Sequence, residues 1–266
     1  MANILEQILA TKRVEVAAAK VRVSAEALAE RIKDLPPTRD FVGAIRAQLS
    51  AKRPAVIAEI KRKSPSAGLF RAADDFAPAR LAAQYAANGA ACLSVLTDVE
   101  YFGGAAEDLA AAKVACNLPI LRKDFVVDEY QLFEARAMGA DAVLFIMDAL
   151  PIAEFLRLEA SAESLGLAVL AESHTAAQLT QALRLKTPLI GINNRDLTRF
   201  ETSLDTTLTL APRVPSNRLV VTESGIESRQ AIELMKKNGI FTFLVGGALM
   251  RQPDPGEALA KLFSPD

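Results

Sequence analysis

Short apolar runs recur along most of the chain, and several follow a glycine that closes a helix-like stretch. "NGAACLSVLTD", "MGADAVLFIMD", "LGLAVLAES" and "NGIFTFLVGG" share this layout, with the glycines at Gly89, Gly139, Gly166 and Gly239. Their separations fall near whole multiples of about 25 residues, the length of a strand, loop, helix and loop unit. Glycine suits the left-handed position at which a helix ends. Filling the gaps predicts eight strands, near 56–61, 92–97, 120–125, 142–147, 168–172, 189–193, 219–223 and 242–245. Between them the spacing is helical: Leu81 and Tyr85 stand one turn apart before Gly89, and Asp128 can cap a helix with Tyr130, Phe133 and Ala137 on one face.

Most of the predicted strands are nearly continuous apolar runs, as in a parallel sheet covered by helices on its outer face. Eight such units over about 200 residues favour an α/β fold of the closed (β/α)8 type, a TIM barrel, over a doubly wound sheet. Residues 1–50 lie outside the repeat and have helical stripes of their own, Leu5, Ile8 and Leu9 on one and Phe41, Ile45 and Leu49 on another. "DLPPTRD" breaks two of these helices without being long enough to separate two cores. Residues 1–266 are therefore read as a single barrel domain, with residues 1–50 as a helical N-terminal extension.

Against this apolar background, certain charges are out of place. Residues two apart on a strand share a face, so Glu59 and Lys61 in "IAEIKRKSPSAG" point the same way. A charge inside a barrel or under its helices is costly unless it is paired or sits at the mouth. The same pattern returns with Lys123 in "ILRKDF", Glu172 in "VLAES", Asn193 and Arg195 in "GINNR", and Glu223 and Ser224 in "VTESG". All fall at the C-terminal ends of predicted strands, where barrels of this type build their active sites. A structural ion pair explains any one of them, but not a set spread over five strands. His174, the only histidine, follows Glu172 by two residues and is assigned to the surface or to a supporting role. Gly225, Gly246 and Gly247, after the last two strands, sit where backbone N–H groups can approach a phosphate.

Composition narrows the partners. The chain has 266 residues, 51% hydrophobic and 24% charged, with 31 basic against 32 acidic side chains. A net charge of -1 gives no general attraction to nucleic acid or an anionic membrane. "KRK", Lys61 to Lys63, begins inside a strand and makes a poor polyanion surface. No apolar run approaches the ~18 residues of a bilayer span. Cys92 and Cys116 lack metal-ligand spacing and are expected to be reduced, buried thiols. A soluble cytoplasmic monomer is the expectation. No Walker or GxGxxG run is present. The long polar segment 62–75, "RKSPSAGLFRAADD", is a candidate lid.

With these residues in view, the whole chain closely resembles indole-3-glycerol phosphate synthase, a (β/α)8 family. "IAEIKRKSPSAG", "LSVLTDVEYFGG", "LPILRKDFVVDEYQ", "LAESHT", "IGINNRDL" and "VTESGI" resemble the family's successive strand signatures, and the N-terminal extension fits it too. The resemblance implies a lyase of tryptophan biosynthesis. It would close 1-(2-carboxyphenylamino)-1-deoxyribulose 5-phosphate to indole-3-glycerol phosphate, with loss of CO2 and water. It implies no metal and no organic cofactor. By motif, Lys123 would be the general acid and Glu172 the general base of the dehydration, with Glu59, Lys61, Asn193 and Arg195 around them. Lys61 and Arg195 are both candidates for the substrate carboxylate, and Lys61 could share acid duty. Phosphate would fall to Ser64, Ser224, Gly225, Gly246 and Gly247, and the aromatic ring to Phe102, Phe125 and Leu144. Some members have Ser where this chain has Gly247, a difference that phosphate binding should survive. The chain ends soon after the eighth helix, which leaves no room for the phosphoribosylanthranilate isomerase domain fused to some relatives. The paired lysines argue against that isomerase chemistry for this barrel.

Overall fold

A computed structural model of the protein describes residues 4–196 and 201–264. Eight parallel strands close into a barrel: β1 (Ala55–Ile60), β2 (Cys92–Leu96), β3 (Ile120–Lys123), β4 (Ala142–Ile146), β5 (Ala168–Ser173), β6 (Leu189–Asn193), β7 (Leu219–Glu223) and β8 (Thr242–Val245). Each pairs with its neighbours in sequence, and β1 pairs with β8 in the register Ala55 to Thr242, which removes both sheet edges. The apolar runs are apolar because both faces are covered: β1, β2, β4 and β6 are buried at every position. The glycines at 89, 139, 166 and 239 all have positive φ, between 72° and 92°, where a side chain would be strained. They turn the chain from each helix into the next strand.

Three helices precede the barrel, α1 (Ile4–Arg22), α2 (Ala25–Lys33) and α3 (Phe41–Ser50). Phe41 and Ile45 bury α3 against the start of the sheet, where the Cys92 thiol meets the Phe41 carbonyl. The break between α2 and α3 is tied to the barrel rather than loose. Arg39 donates to the carbonyls of Lys113, Cys116 and Leu118, and its N–H to Asp141. Cys92 is buried as expected; Cys116, at the end of a helix, is only half-buried, and both are free thiols.

The helix after β3, α4 (Tyr130–Met138), begins where Asp128 accepts from the Tyr130 N–H. Its Tyr130, Phe133 and Ala137 face does not meet the barrel but packs on Val16 of α1 and Leu28 of α2, while Leu132 and Ala135 take the barrel side. That stripe is the seat of the extension. The Tyr130 hydroxyl donates to the carbonyls of Ala19 and Val23 and fixes the join. From there α1 rises past β3, so that Ile4, Leu5 and Ile8 reach the mouth of the barrel.

Candidate active site

Alternation along β1, β3, β5, β6 and β7 turns Glu59, Lys123, Glu172, Asn193 and Glu223 inward at the C-terminal ends of their strands. Lys123 lies at the centre. Its Nζ donates to Glu172 Oε2 at 2.8 Å and to Glu223 Oε2 at 2.6 Å. Asn193 Nδ2 reaches the other oxygen of Glu172 at 3.3 Å, and its own Oδ1 accepts from the Arg195 N–H at 3.0 Å. Lys61 and Glu59 form their own ion pair beside this group. Two glycines give the carboxylates room. A Cβ on Gly191 would lie 2.5 Å from Glu223 Oε1, and one on Gly246 would lie 2.3 Å from Glu59 Oε1.

The charge states follow from burial and neighbours. Burial acts to strip Lys123 of its proton, but Glu172, Glu223 and Glu59 outweigh it and hold the ammonium above the ordinary lysine range. Burial also acts to raise Glu172, yet Lys123 and His174 overcome it and keep that carboxylate ionised. For Glu223 burial wins: only partly offset by Lys123 and reinforced by Glu172, it pushes the carboxyl up to about 8. The two carboxyls facing one ammonium are thus driven apart, Glu172 toward the ionised form and Glu223 toward the protonated one. His174 Nε2 lies 3.2 Å from Glu172 Oε1. Burial disfavours its charged form, but the neighbouring Glu172 and Glu223 raise its pKa.

One cavity collects the expected residues. Glu59, Lys61, Lys123, Glu172, Asn193 and Arg195 line it together with Ser64, Ser224, Gly225, Gly246, Gly247, Phe102, Phe125 and Leu144. Phe102 and Phe125 stand 5.9 Å apart, ring centre to ring centre, on one wall. On the other side the chain turns sharply after β7. Ser224 and Gly225 both have positive φ, 63° and 76°, and Asn194 Nδ2 holds the Ser224 carbonyl at 3.0 Å. A non-glycine residue kept in that conformation carries strain, a cost characteristic of functional turns. Ser64 ends the first arm of a small hairpin, Lys63–Ser64 with Gly68–Leu69, inside the candidate lid. The base of that segment is pinned: Arg71 donates to the Met250 carbonyl at 3.0 Å, to the Gln252 carbonyl and to Asp75. Within the segment 62–75, residues 65–69 and 72–74 are exposed, and Ser66 at the hairpin tip accepts a hydrogen bond from Arg195.

Several residues in or beside the site lie outside the expected set. Glu223 obeyed the same strand-end pattern as its partners but had no role assigned to it. Leu5 and Ile8 have only an amphipathic stripe as a signal, which shows that a helix packs but not on what, and Ile4 lies outside that stripe. Phe70 and Arg251, also in the lining, follow a two-residue strand and a four-residue helix, both too short to carry a period. Lys12 of α1, buried below the mouth, bridges Asp98 and Asp124 at 3.0 Å each.

Solved structures of low sequence identity share the fold. A thiamine phosphate pyrophosphorylase from Pyrococcus furiosus superposes with a TM-score of 0.57 at 16% identity, over 80% of this chain and 95% of its own. An N-acetylmannosamine-6-phosphate 2-epimerase from Clostridium perfringens gives 0.59 at 14%, over 74% and 88%. Similarity in sequence goes further. The indole-3-glycerol phosphate synthases of Acidithiobacillus ferrooxidans and Aromatoleum aromaticum are 55% and 56% identical to this chain, across 99% of it and 99% and 100% of their own lengths. The family model for indole-3-glycerol phosphate synthase matches residues 5–262. Agreement over so nearly the whole chain, extension and barrel alike, means that the chain belongs to the indole-3-glycerol phosphate synthase family.

Proposed function

We propose that the cluster around Lys123 performs the proton transfers of the family reaction. The chain is a carboxy-lyase that converts 1-(2-carboxyphenylamino)-1-deoxyribulose 5-phosphate to indole-3-glycerol phosphate, releasing CO2 and water. The observation that carries the residue assignment is Lys123 held between Glu172 and Glu223, at 2.8 and 2.6 Å. As the ring carbon bearing the carboxylate attacks the ketone, the ketone oxygen gains negative charge. The Lys123 ammonium gives it a proton and stabilises what remains of the charge. Loss of CO2 from the same ring carbon returns its electron pair to the ring. In the dehydration that follows, ionised Glu172 accepts the proton from carbon, and the departing hydroxyl takes one from the protonated Glu223, either directly or through Lys123 once Glu223 has restored the proton Lys123 gave up.

The remaining assignments concern binding. Phe102, Phe125 and Leu144 hold the aromatic ring, and Leu5 and Ile8 of α1 cover it. Ser64, Ser224, Gly225, Gly246 and Gly247 receive the phosphate. Arg195, whose Nη1 donates to the Ser66 hydroxyl and which faces no carboxylate partner among the described residues, and Lys61, already paired with Glu59, are the two candidates for the substrate carboxylate. Arg195 is the better placed in charge, since it need not give up an ion pair. A cytoplasmic monomer is part of this proposal; among the described residues no helix is long and apolar enough to cross a membrane. Adding the substrate to purified protein and following indole fluorescence tests the activity. Folded protein that yields no indole signal would defeat it, and sedimentation at working concentration decides the oligomeric state.

A further inference from the structure

We infer that Arg251 is a ligand of the substrate phosphate. The inference rests on the phosphate site proposed above at Ser64, Gly225, Gly246 and Gly247, and adds to it a charged side chain one helical turn beyond Gly247. The cations that line or border the mouth differ in how they are neutralised. Lys61 faces Glu59, Lys123 faces Glu172 and Glu223, and Arg71 faces Asp75. Arg251 lines the same cavity and has no carboxylate and no hydrogen-bond acceptor as partner among the described residues. Its guanidinium lies over the Phe70 ring, 5.0 Å from the ring centre, and the Lys61 ammonium stands 5.3 Å from the same centre. Two cations gathered on one ring define a region of positive potential, and a dianion beside them would relieve their repulsion.

The guanidinium is close to the glycines and is held there. A Cβ placed on Gly247 would lie 3.7 Å from Arg251 Nη1 and 3.5 Å from the Phe70 ring, so the planar group borders the space directly above Gly247. The backbone on either side of Arg251 is clamped from below: Arg71, 9% exposed, donates to the carbonyls of Met250 and Gln252. A flexible side chain mounted on a fixed backbone loses less freedom in meeting its ligand. A guanidinium also supplies paired donors that match phosphate oxygens, which backbone N–H groups at two glycines alone do not provide. The substrate brings two anionic groups to the mouth, a carboxylate and a phosphate. Arg195 and Arg251 are two guanidiniums there without carboxylate partners, and the glycine turn beside Arg251 assigns it the phosphate.

The test compares wild type with Arg251→Met and Arg251→Lys, using inorganic phosphate as a competitor of the substrate. The expected result for Arg251→Met is a KM raised at least about tenfold, the scale of one charge-assisted hydrogen bond, with kcat within about threefold. The inhibition constant for inorganic phosphate should rise in parallel, and Arg251→Lys should fall between the two. A KM and an inhibition constant both within twofold of wild type in Arg251→Met would overturn the role of Arg251, provided phosphate competes with substrate in the wild type. If phosphate fails to compete even there, the phosphate site itself is misassigned and the inference falls with it. Arg251 is exposed, so its removal should leave the melting temperature unchanged. A parallel fall in kcat and melting temperature, without a selective loss of phosphate inhibition, would mark Arg251 as structural and also overturn the proposal.

Discussion

Lys123 is flanked by two buried carboxylates that cannot both stay ionised at low cost, and their pKa values are driven in opposite directions accordingly. Replacing Lys123 by Ala should lower kcat by at least about a hundredfold while substrate still binds, the scale expected when a general acid is lost. A kcat within tenfold of wild type would reassign the proton. Glu223, pushed up to about 8, makes a second prediction. Above that pH it loses its proton, so kcat/KM of the wild type should fall, whereas Glu223→Gln, less active throughout, should lack that limb. A wild-type profile flat well past pH 8 would remove Glu223 from the chemistry. Stability follows the same titration. The folded pKa lies above the ~4.3 of an unfolded glutamate, so between these values the folded chain binds more protons and loses stability as pH rises. The melting temperature of Glu223→Gln should therefore gain on that of the wild type between pH 6 and pH 8. At this scale much could be read from the sequence, because a polar residue at the end of an apolar strand violates a period of two. Arg251 could not: it follows a four-residue helix, where no period exists to be broken.

Elements hold these residues in place through space as well as contact. β6 contributes a glycine where a side chain would strike Glu223, and Gly191→Ala should cut activity at least about tenfold while the chain still folds. A variant with full activity would show that Glu223 can move without consequence. The extension is attached by charge below and by apolar contact above. Lys12 has its pKa raised because Asp124, Asp98 and Glu15 outweigh its burial. Lys12→Met strands Asp98 and part of Asp124, and should cost about 3 kcal/mol in denaturant unfolding, the usual result of breaking a buried pair from one side. A loss under about 1 kcal/mol would mean that water enters to replace the ammonium. Of the helices of the extension, α1 and α3 were legible as helices from their stripes. The seat of α1 on α4 was not, because a stripe records that a face is covered without recording by what.

At the scale of the molecule, barrel, extension and site share one packing unit. Phe41 and Ile45 of α3 and Leu5 and Ile8 of α1 belong to the same apolar cluster as the strands. We propose a single domain on that ground, which should unfold in one calorimetric transition; a separate low-temperature transition for residues 1–50 would contradict it. The repeat of about 25 residues made the barrel readable from the sequence, but closure itself was an inference from strand number, since no local residue states that β1 meets β8. That pairing, Ala55 to Thr242, has a consequence for biosynthesis. During translation the first strand leaves the ribosome with an unsatisfied edge and must wait for nearly the whole polypeptide before its partner arrives. Until then a nascent sheet with two open edges is exposed to chaperones and to other chains. Lys61 on one side of that seam and the Gly246 turn on the other meet only when it shuts, so the cavity they both line is completed by closure and by no earlier stage of folding.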